Sequence, residues 1–99
     1  MNDPVSEWLA DRLRDAPEEL RARMLAALGE VPGGLPEEER TVRSLVGPLR
    51  AAADRLLGQA VRGPASPETG EVLLAADGLA TLACEALAES APDVMREVP

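Results

Sequence analysis

The side chains with the most chemical potential in this sequence lie on one stretch near its C-terminal end. Asp77, Thr81, Cys84 and Glu85 fall within about 100° of one another when the stretch is read as an α-helix. Two carboxylates with a thiol between them could in principle bind a metal ion. The chain has no histidine and only one cysteine, however, and di-iron sites in helical bundles need Glu-x-x-His motifs. The pattern therefore favours a solvated polar face over a metal site.

Nucleophilic catalysis is disfavoured by the same lack of histidine, because Ser–His–Asp and Cys–His systems need an imidazole base. No basic residue lies near Cys84 in the sequence to activate its thiol. The pair Gly33–Gly34 lacks the preceding strand and the following Lys and Ser/Thr of a phosphate-binding loop, so it predicts a plain turn or hinge. We expect no enzymatic activity and no cofactor.

The stretch from Thr69 to Ser90 is the longest nearly uninterrupted apolar segment, and the rest of the chain must be organised around it. At 3.6 residues per turn its apolar residues fill one half of a helix, while acids and threonine fill the other. The apolar half consists of Val72, Leu73, Ala75, Ala76, Leu79, Ala80, Leu82, Ala83, Ala86 and Leu87. This half-cylinder predicts a central helix that must be covered by other helices or by a second molecule.

The composition favours an all-α fold. The chain contains 17 Ala and 15 Leu but no Phe, no Tyr, no Ile and one Trp. Small and medium aliphatic side chains suit helices packed at close separation, whereas sheets draw on β-branched and aromatic residues. Ninety-nine residues are enough for one domain, which we place over residues 1–99.

Two shorter helices are predicted in the N-terminal third. The first begins at Asp3–Pro4, a capping residue followed by proline, and continues to about Asp15. Its apolar stripe includes Trp8, which we expect to anchor this helix to the others. The second begins after Asp15 with Pro17 and two glutamates, and Gly29 is the expected terminator.

The third helix is predicted from Pro36 to about Val61. Gly47–Pro48 interrupts it, yet the 3-4 apolar spacing continues across the interruption. The expected structure is one long helix kinked at Pro48, and the alternative is two shorter helices that meet at Gly47. Ser66–Pro67–Glu68 begins the long fourth helix, and Ser90–Asp93 is expected to end it and to start a single further turn. The predicted fold is thus a small antiparallel bundle of about four helices, with a kinked third helix and an Ala/Leu-rich fourth.

The charge argues against nucleic-acid and membrane partners. The net charge is −8, from 18 acids and 10 arginines, so the chain lacks a basic surface for phosphates. No secretory signal and no apolar segment long enough to cross a bilayer is evident, and one cysteine excludes an intrachain disulfide. We expect a complete cytoplasmic protein, and GC-rich codon usage suggests a bacterial source. No base occurs between Arg62 and Arg96, so this acidic part either faces water or pairs with arginines of the third helix or of another molecule.

These observations predict a non-catalytic protein–protein interaction module: an adaptor, a regulatory subunit or a homodimeric scaffold. Its protein partner could have a basic surface, and self-association through the small-residue side of the fourth helix is expected. The predicted partner-binding residues are Asp77, Glu85, Glu71, Trp8 and Leu74. The alternative is a small-ligand- or metal-binding bundle with its pocket between the third and fourth helices. An acidic decoy for a nucleic-acid-binding protein ranks lowest.

Overall fold

A computed structural model of the chain describes residues 4–31 and 41–96. These residues form four α-helices and no strand, and the helices pack against one another, which confirms the all-α prediction. The helices are α1 (Pro4–Leu13), α2 (Glu18–Gly29), α3 (Val46–Arg62) and α4 (Pro67–Arg96). The predictions for Asp3, for the Gly33–Gly34 turn and for a helix start at Pro36 lie outside the described residues.

The start of α4 follows from local hydrogen bonding. Ser66 precedes the first helical residue, Pro67, and its hydroxyl accepts the backbone N–H of Thr69 at 3.2 Å. The Thr69 hydroxyl donates to the carbonyl of Pro64 at 2.6 Å. This arrangement satisfies an N–H group that the first turn of a helix leaves without a partner. The helix start predicted from Ser66–Pro67–Glu68 is thus confirmed.

The predicted kink at Pro48 is wrong. A 3₁₀ turn covers Arg43–Leu45, and α3 begins directly after it at Val46. Pro48 therefore lies in the first turn of α3, where a backbone N–H has no acceptor within the helix. Without an N–H, Pro48 cannot bond the carbonyl of Ser44, so α-helical bonding does not extend backwards, and the tighter 3₁₀ pattern precedes it.

Two predicted helix ends also differ from the structure. Gly29 is the last residue of α2 rather than a left-handed residue beyond it, and Glu30 follows with φ of −85°. The helix α4 does not stop at Ser90 but continues to Arg96. The reason is that Ser90 is buried and its hydroxyl donates to the carbonyl of Ala86 at 2.9 Å. This bond to the preceding turn satisfies the hydroxyl within the helix, so Ser90 acts as neither a terminator nor a cap.

The core lies between α3 and α4, which run antiparallel as the long pair of the bundle. Leu49 of α3 and Leu79 of α4 are completely buried large side chains at their contact. Alanines surround them, and Ala52, Ala75 and Ala86 have no exposed surface. Small side chains of this kind allow two helix axes to approach to about 8 Å.

The helix α2 crosses α4 at a glycine. A Cβ atom added to Gly78 would lie 2.9 Å from Cε and 3.1 Å from Sδ of Met24, which is a buried residue of α2. The absent side chain therefore provides the space that the Met24 side chain fills. The apolar stripes predicted for the two short helices are confirmed as well: Val5, Leu13, Met24 and Ala27 are buried.

Replacing Gly78 with Leu is expected to destabilise the fold by about 1–3 kcal/mol, because the new side chain overpacks the site of Met24. The matched control is Gly70→Leu on the same helix, where no atom lies within 4 Å of an added Cβ. That variant should stay within about 0.5 kcal/mol of the parent or gain stability from better helix propensity. Urea unfolding followed by circular dichroism measures both. Equal stabilities of the two variants would contradict the close approach of α2 at Gly78.

Candidate protein–protein interaction surface

The structure separates the four polar residues that the sequence places on one side of α4. Cys84 is exposed and lines a groove against α3, whereas Glu85 points to α1 and pairs with Arg12 at 3.4 Å. The Thr81 hydroxyl donates to the carbonyl of Asp77 at 2.9 Å, within the helix. In the described ranges, no group of three or more His, Cys, Asp and Glu side chains is placed to hold a metal ion. The four residues thus face different surroundings.

A compact polar cluster holds α1 against the second half of α4. Trp8 Nε1 donates to Glu89 Oε2 at 2.6 Å, and Arg12 forms an ion pair with the same carboxylate. The Arg12 guanidinium also lies 5.3 Å from the centre of the Trp8 ring, within the range of a cation–π contact. Trp8 is half-buried and packs on the core. The structure therefore places Trp8, a predicted partner-binding residue, in intramolecular packing.

The predicted partner-binding residues nearer the start of α4 also differ from one another in their surroundings. Glu71 pairs with Arg23 of α2 at 3.4 Å. Leu74 is exposed and lines a small cavity of about 170 Å³ between α2 and α4. Among the residues that the structure describes, none forms an ion pair with the carboxylate of Asp77, which is exposed. Pairing with arginines of the third helix is one of the alternatives that the sequence leaves open, and it does not hold for Glu71 and Glu85: Glu71 pairs with Arg23 of α2, and Glu85 pairs with Arg12 of α1.

Together, these contacts place α1 and α2 on one flank of α4. Glu71, Gly78, Glu85 and Glu89 all fall on this flank by helical geometry, and each contacts a residue of α1 or α2. Arg55 adds a link between α3 and the end of α2, because it donates to the carbonyl of Glu30 at 2.8 Å. The opposite flank of α4 receives none of these contacts.

That opposite flank forms, with α3, a surface that we call the open face. A groove of about 300 Å³ runs along it between the two helices. Its lining consists of Val46, Arg50, Ala53, Asp54, Ala80, Ala83, Cys84 and Leu87. Helical spacing continues the α3 edge of the groove to Leu57 and Val61, and the α4 edge to Leu73.

The open face carries most of the large apolar side chains that remain exposed. Of the six such residues in the described part of the chain, four lie here: Leu57, Val61, Leu73 and Leu87. Val61 is 76% exposed and Leu87 52%. Single exposed apolar residues are normal on protein surfaces, whereas a row on two adjacent helices makes this surface a candidate for an interaction site.

The open face is nearly free of charge. Among the described residues, Arg50 and Asp54 are the charged residues that line the groove, and their charges cancel. Both are exposed, and neither forms an ion pair within residues 4–31 and 41–96. Three acids of α4 lie instead on the α1–α2 flank, where arginines pair with them, whereas Asp77, which has no ion pair in the described structure, lies beside the α4 edge of the open face.

The sequence contains the signal for this surface. Leu73, Ala80 and Leu87 recur every seven residues at one edge of the apolar half of α4, which is predicted to be covered by other helices or by a second molecule. All three are exposed, because in the described part of the chain α1 and α2 pack on the opposite flank. On α3, the exposed residues Leu57 and Val61 are four residues apart, about one helical turn, and lie beside the buried positions.

Comparison with protein families, with curated proteins and with solved structures finds no match to this chain. In the described residues, no helix has the length and apolarity needed to cross a bilayer. The function of the open face is therefore argued from its own geometry.

Replacing Glu89 with Gln is expected to loosen α1, because the carboxylate accepts from Trp8 and pairs with Arg12. The expected cost is about 1 kcal/mol, since these side chains are partly exposed to water. The emission of Trp8, the single tryptophan, should shift to longer wavelength in the folded state. The control is Asp77→Asn, which removes the same charge from a carboxylate without an ion pair in the described structure and should leave the emission unchanged. An unshifted spectrum for the Glu89 variant would refute this docking contact.

Proposed function

We propose that this chain is a non-catalytic protein–protein interaction module and that the open face is its binding surface. The observation that carries the proposal is that the exposed side chains of Leu57, Val61, Leu73 and Leu87 lie on one face of α3 and α4 by helical spacing, and that Leu87 lines the groove between the two helices. A partner that covers an exposed apolar row removes this surface from water, which favours binding. A helical partner fits such a groove by placing its own apolar stripe between the two helices.

The acidic side of α4 supports a basic partner less well. Glu71 and Glu85 already pair with Arg23 and Arg12, so a basic partner would have to displace arginines of the same chain. Asp77 is left as an exposed carboxylate outside any described ion pair. An isolated surface charge contributes little to affinity, although it influences the rate of association. The partner chemistry that fits best is therefore an apolar helix face rather than a basic surface.

A small apolar ligand is the second candidate. The groove between α3 and α4 lies where the sequence predicted a ligand pocket, and its volume of about 300 Å³ is at the lower end for ligand sites. Ligand pockets usually bury most of the ligand surface, whereas this groove lies open along its length. Its shape therefore suits the side chains of a second protein better than an enclosed small molecule.

The reactivity of Cys84 tests the proposal, because its thiol lies in the groove and is the only thiol of the chain. We expect a maleimide to alkylate Cys84 of the parent chain at least about tenfold more slowly than Cys84 of the Leu87→Glu variant, with both chains present in one lysate of the cells that express them. The glutamate places a charge in the apolar groove and prevents coverage. Mass spectrometry of the alkylated peptide measures the rate, and comparison within one lysate corrects for competing thiols.

The matched control is Leu74→Glu. Leu74 is 61% exposed, compared with 52% for Leu87, and belongs to the same helix, but it lies outside the open face. Its substitution should leave the protection of Cys84 intact. Equal alkylation rates for the parent and for Leu87→Glu would refute the interaction module. Protection that is lost on passing the lysate through a small-molecule filter and restored by the filtrate would assign the groove to a ligand instead.

A further inference from the structure

Resting on the proposed function, we infer that the occupant of the open face is a second copy of this chain. The two copies would be related by a two-fold axis that crosses the helices at the level of Ala53 and Ala80, with α3 antiparallel to α3 of the second copy. Val46 and Leu87 lie at one end of the groove, and Ala53 and Ala80 each lie seven residues further along their antiparallel helices, so Ala53 and Ala80 share one level. Leu57, Val61 and Leu73 lie beyond that level, where helical spacing continues the open face.

The apolar row on α4 is symmetric about this level. Leu73 and Leu87 each lie seven residues, about two turns, from Ala80. A two-fold axis through Ala80 places Leu73 of one copy against Leu87 of the other and brings the two small Ala80 side chains together. An isologous interface requires a surface that is complementary to itself in this way. The row therefore satisfies the requirement without any change of conformation.

The two charges of the open face are complementary under the same operation. Across an axis at the level of Ala53, Arg50 of one copy and Asp54 of the other are offset by two residues along the helix direction. This offset is about 3 Å, given a rise of 1.5 Å per residue. An arginine side chain easily spans that offset. Each copy contributes one arginine and one aspartate, so the interface would contain two ion pairs. Arg50 and Asp54 are the only charged residues that line the groove, and in the described structure neither has an ion-pair partner within its own chain.

The size of the face suffices for a reversible dimer. The 17 residues of α3 extend about 25 Å, and two packed helices are about 20 Å wide. The projected area is about 500 Å² per copy, or about 1,000 Å² in total, which reaches the lower limit of specific interfaces. Interfaces of this size are typical of weak and reversible complexes, so self-association is expected only toward high concentration.

The net charge of −8 does not oppose this arrangement strongly. Glu71, Glu85 and Glu89 lie on the α1–α2 flank, away from the second copy, and arginines are paired with each of them. The remaining long-range repulsion between two acidic chains is screened by salt over about 8–10 Å. Salt also screens the two Arg50–Asp54 pairs of the interface, so dimerisation should depend only weakly on salt.

The test uses sedimentation velocity over a wide range of concentrations. The parent chain should approach twice its mass of 10.4 kDa at high concentration. Arg50→Asp and Asp54→Arg each replace two attractive pairs with repulsive ones, and each should weaken self-association at least about tenfold. An equimolar mixture of the two variants should dimerise again within about fivefold of the parent, because every aspartate then faces an arginine across the axis. Circular dichroism checks that each variant remains helical.

The outcomes separate this inference from the proposed function. Recovery in the mixture, with neither variant dimeric alone, supports the two-fold arrangement. A parent chain that stays monomeric at millimolar concentration, while its Cys84 is protected in the lysate, overturns the second copy and retains the interaction module. A dimeric parent without recovery in the mixture overturns the arrangement proposed for Arg50 and Asp54. Absence of both protection and dimers overturns the proposed function as well.

Discussion

The close contact between α3 and α4 is the constraint on which the rest of the structure depends. It is made by alanines around two buried leucines, Leu49 and Leu79, in a chain with no Phe, Tyr or Ile. Small side chains bring two helices together but enclose little volume between them. The pair therefore forms a thin layer with two flanks, and each flank needs its own cover. The two remaining helices in the described structure are short, at 10 and 12 residues, and they cover one flank only.

Steric fit and charge together determine which flank of α4 the helices α1 and α2 cover. Gly78 opens a space on α4 that Met24 of α2 fills, which fixes where α2 can lie. On either side of this contact, arginines of α1 and α2 meet the carboxylates of α4. Exposed ion pairs of this type contribute little individually, so their main effect is to orient α1 and α2. The same contacts leave the opposite flank apolar and almost uncharged.

Much of the fold could be predicted from the sequence because it depends on local signals. Apolar periodicity located all four helices, and Ser66–Pro67 marked the start of α4 correctly. The error at Pro48 arose because apolar residues spaced by three and four fit both a 3₁₀ turn and an α-helix, so the pattern could not show where one changed into the other. The prediction that α4 ends at Ser90 was wrong because the sequence does not show that this serine is buried, and an exposed serine favours a helix cap.

The candidate site was less predictable, because it depends on which edge of α4 stays uncovered. The width of an apolar arc shows how much surface must be covered, but not which helix covers it. From the sequence, Trp8 is predicted both to anchor its helix and to bind a partner, and Glu85 to bind a partner; in the structure both take part in the contact between α1 and α4. The sequence also leaves open whether another helix or a second molecule covers Leu73 and Leu87, which are exposed in the structure.

Salt affects the contacts on the two flanks of α4 differently. Contacts on the α1–α2 flank include ion pairs that salt weakens, while burial of the open face depends on apolar surface that salt does not weaken. An incidental set of exposed leucines would be scattered over both flanks and mixed with charges. Here Leu57, Leu73 and Leu87 lie on one face of α3 and α4, and among the described residues Arg50 and Asp54 are the charged residues of the groove lining. The partner that we propose for this face would complete the core of the central pair from outside.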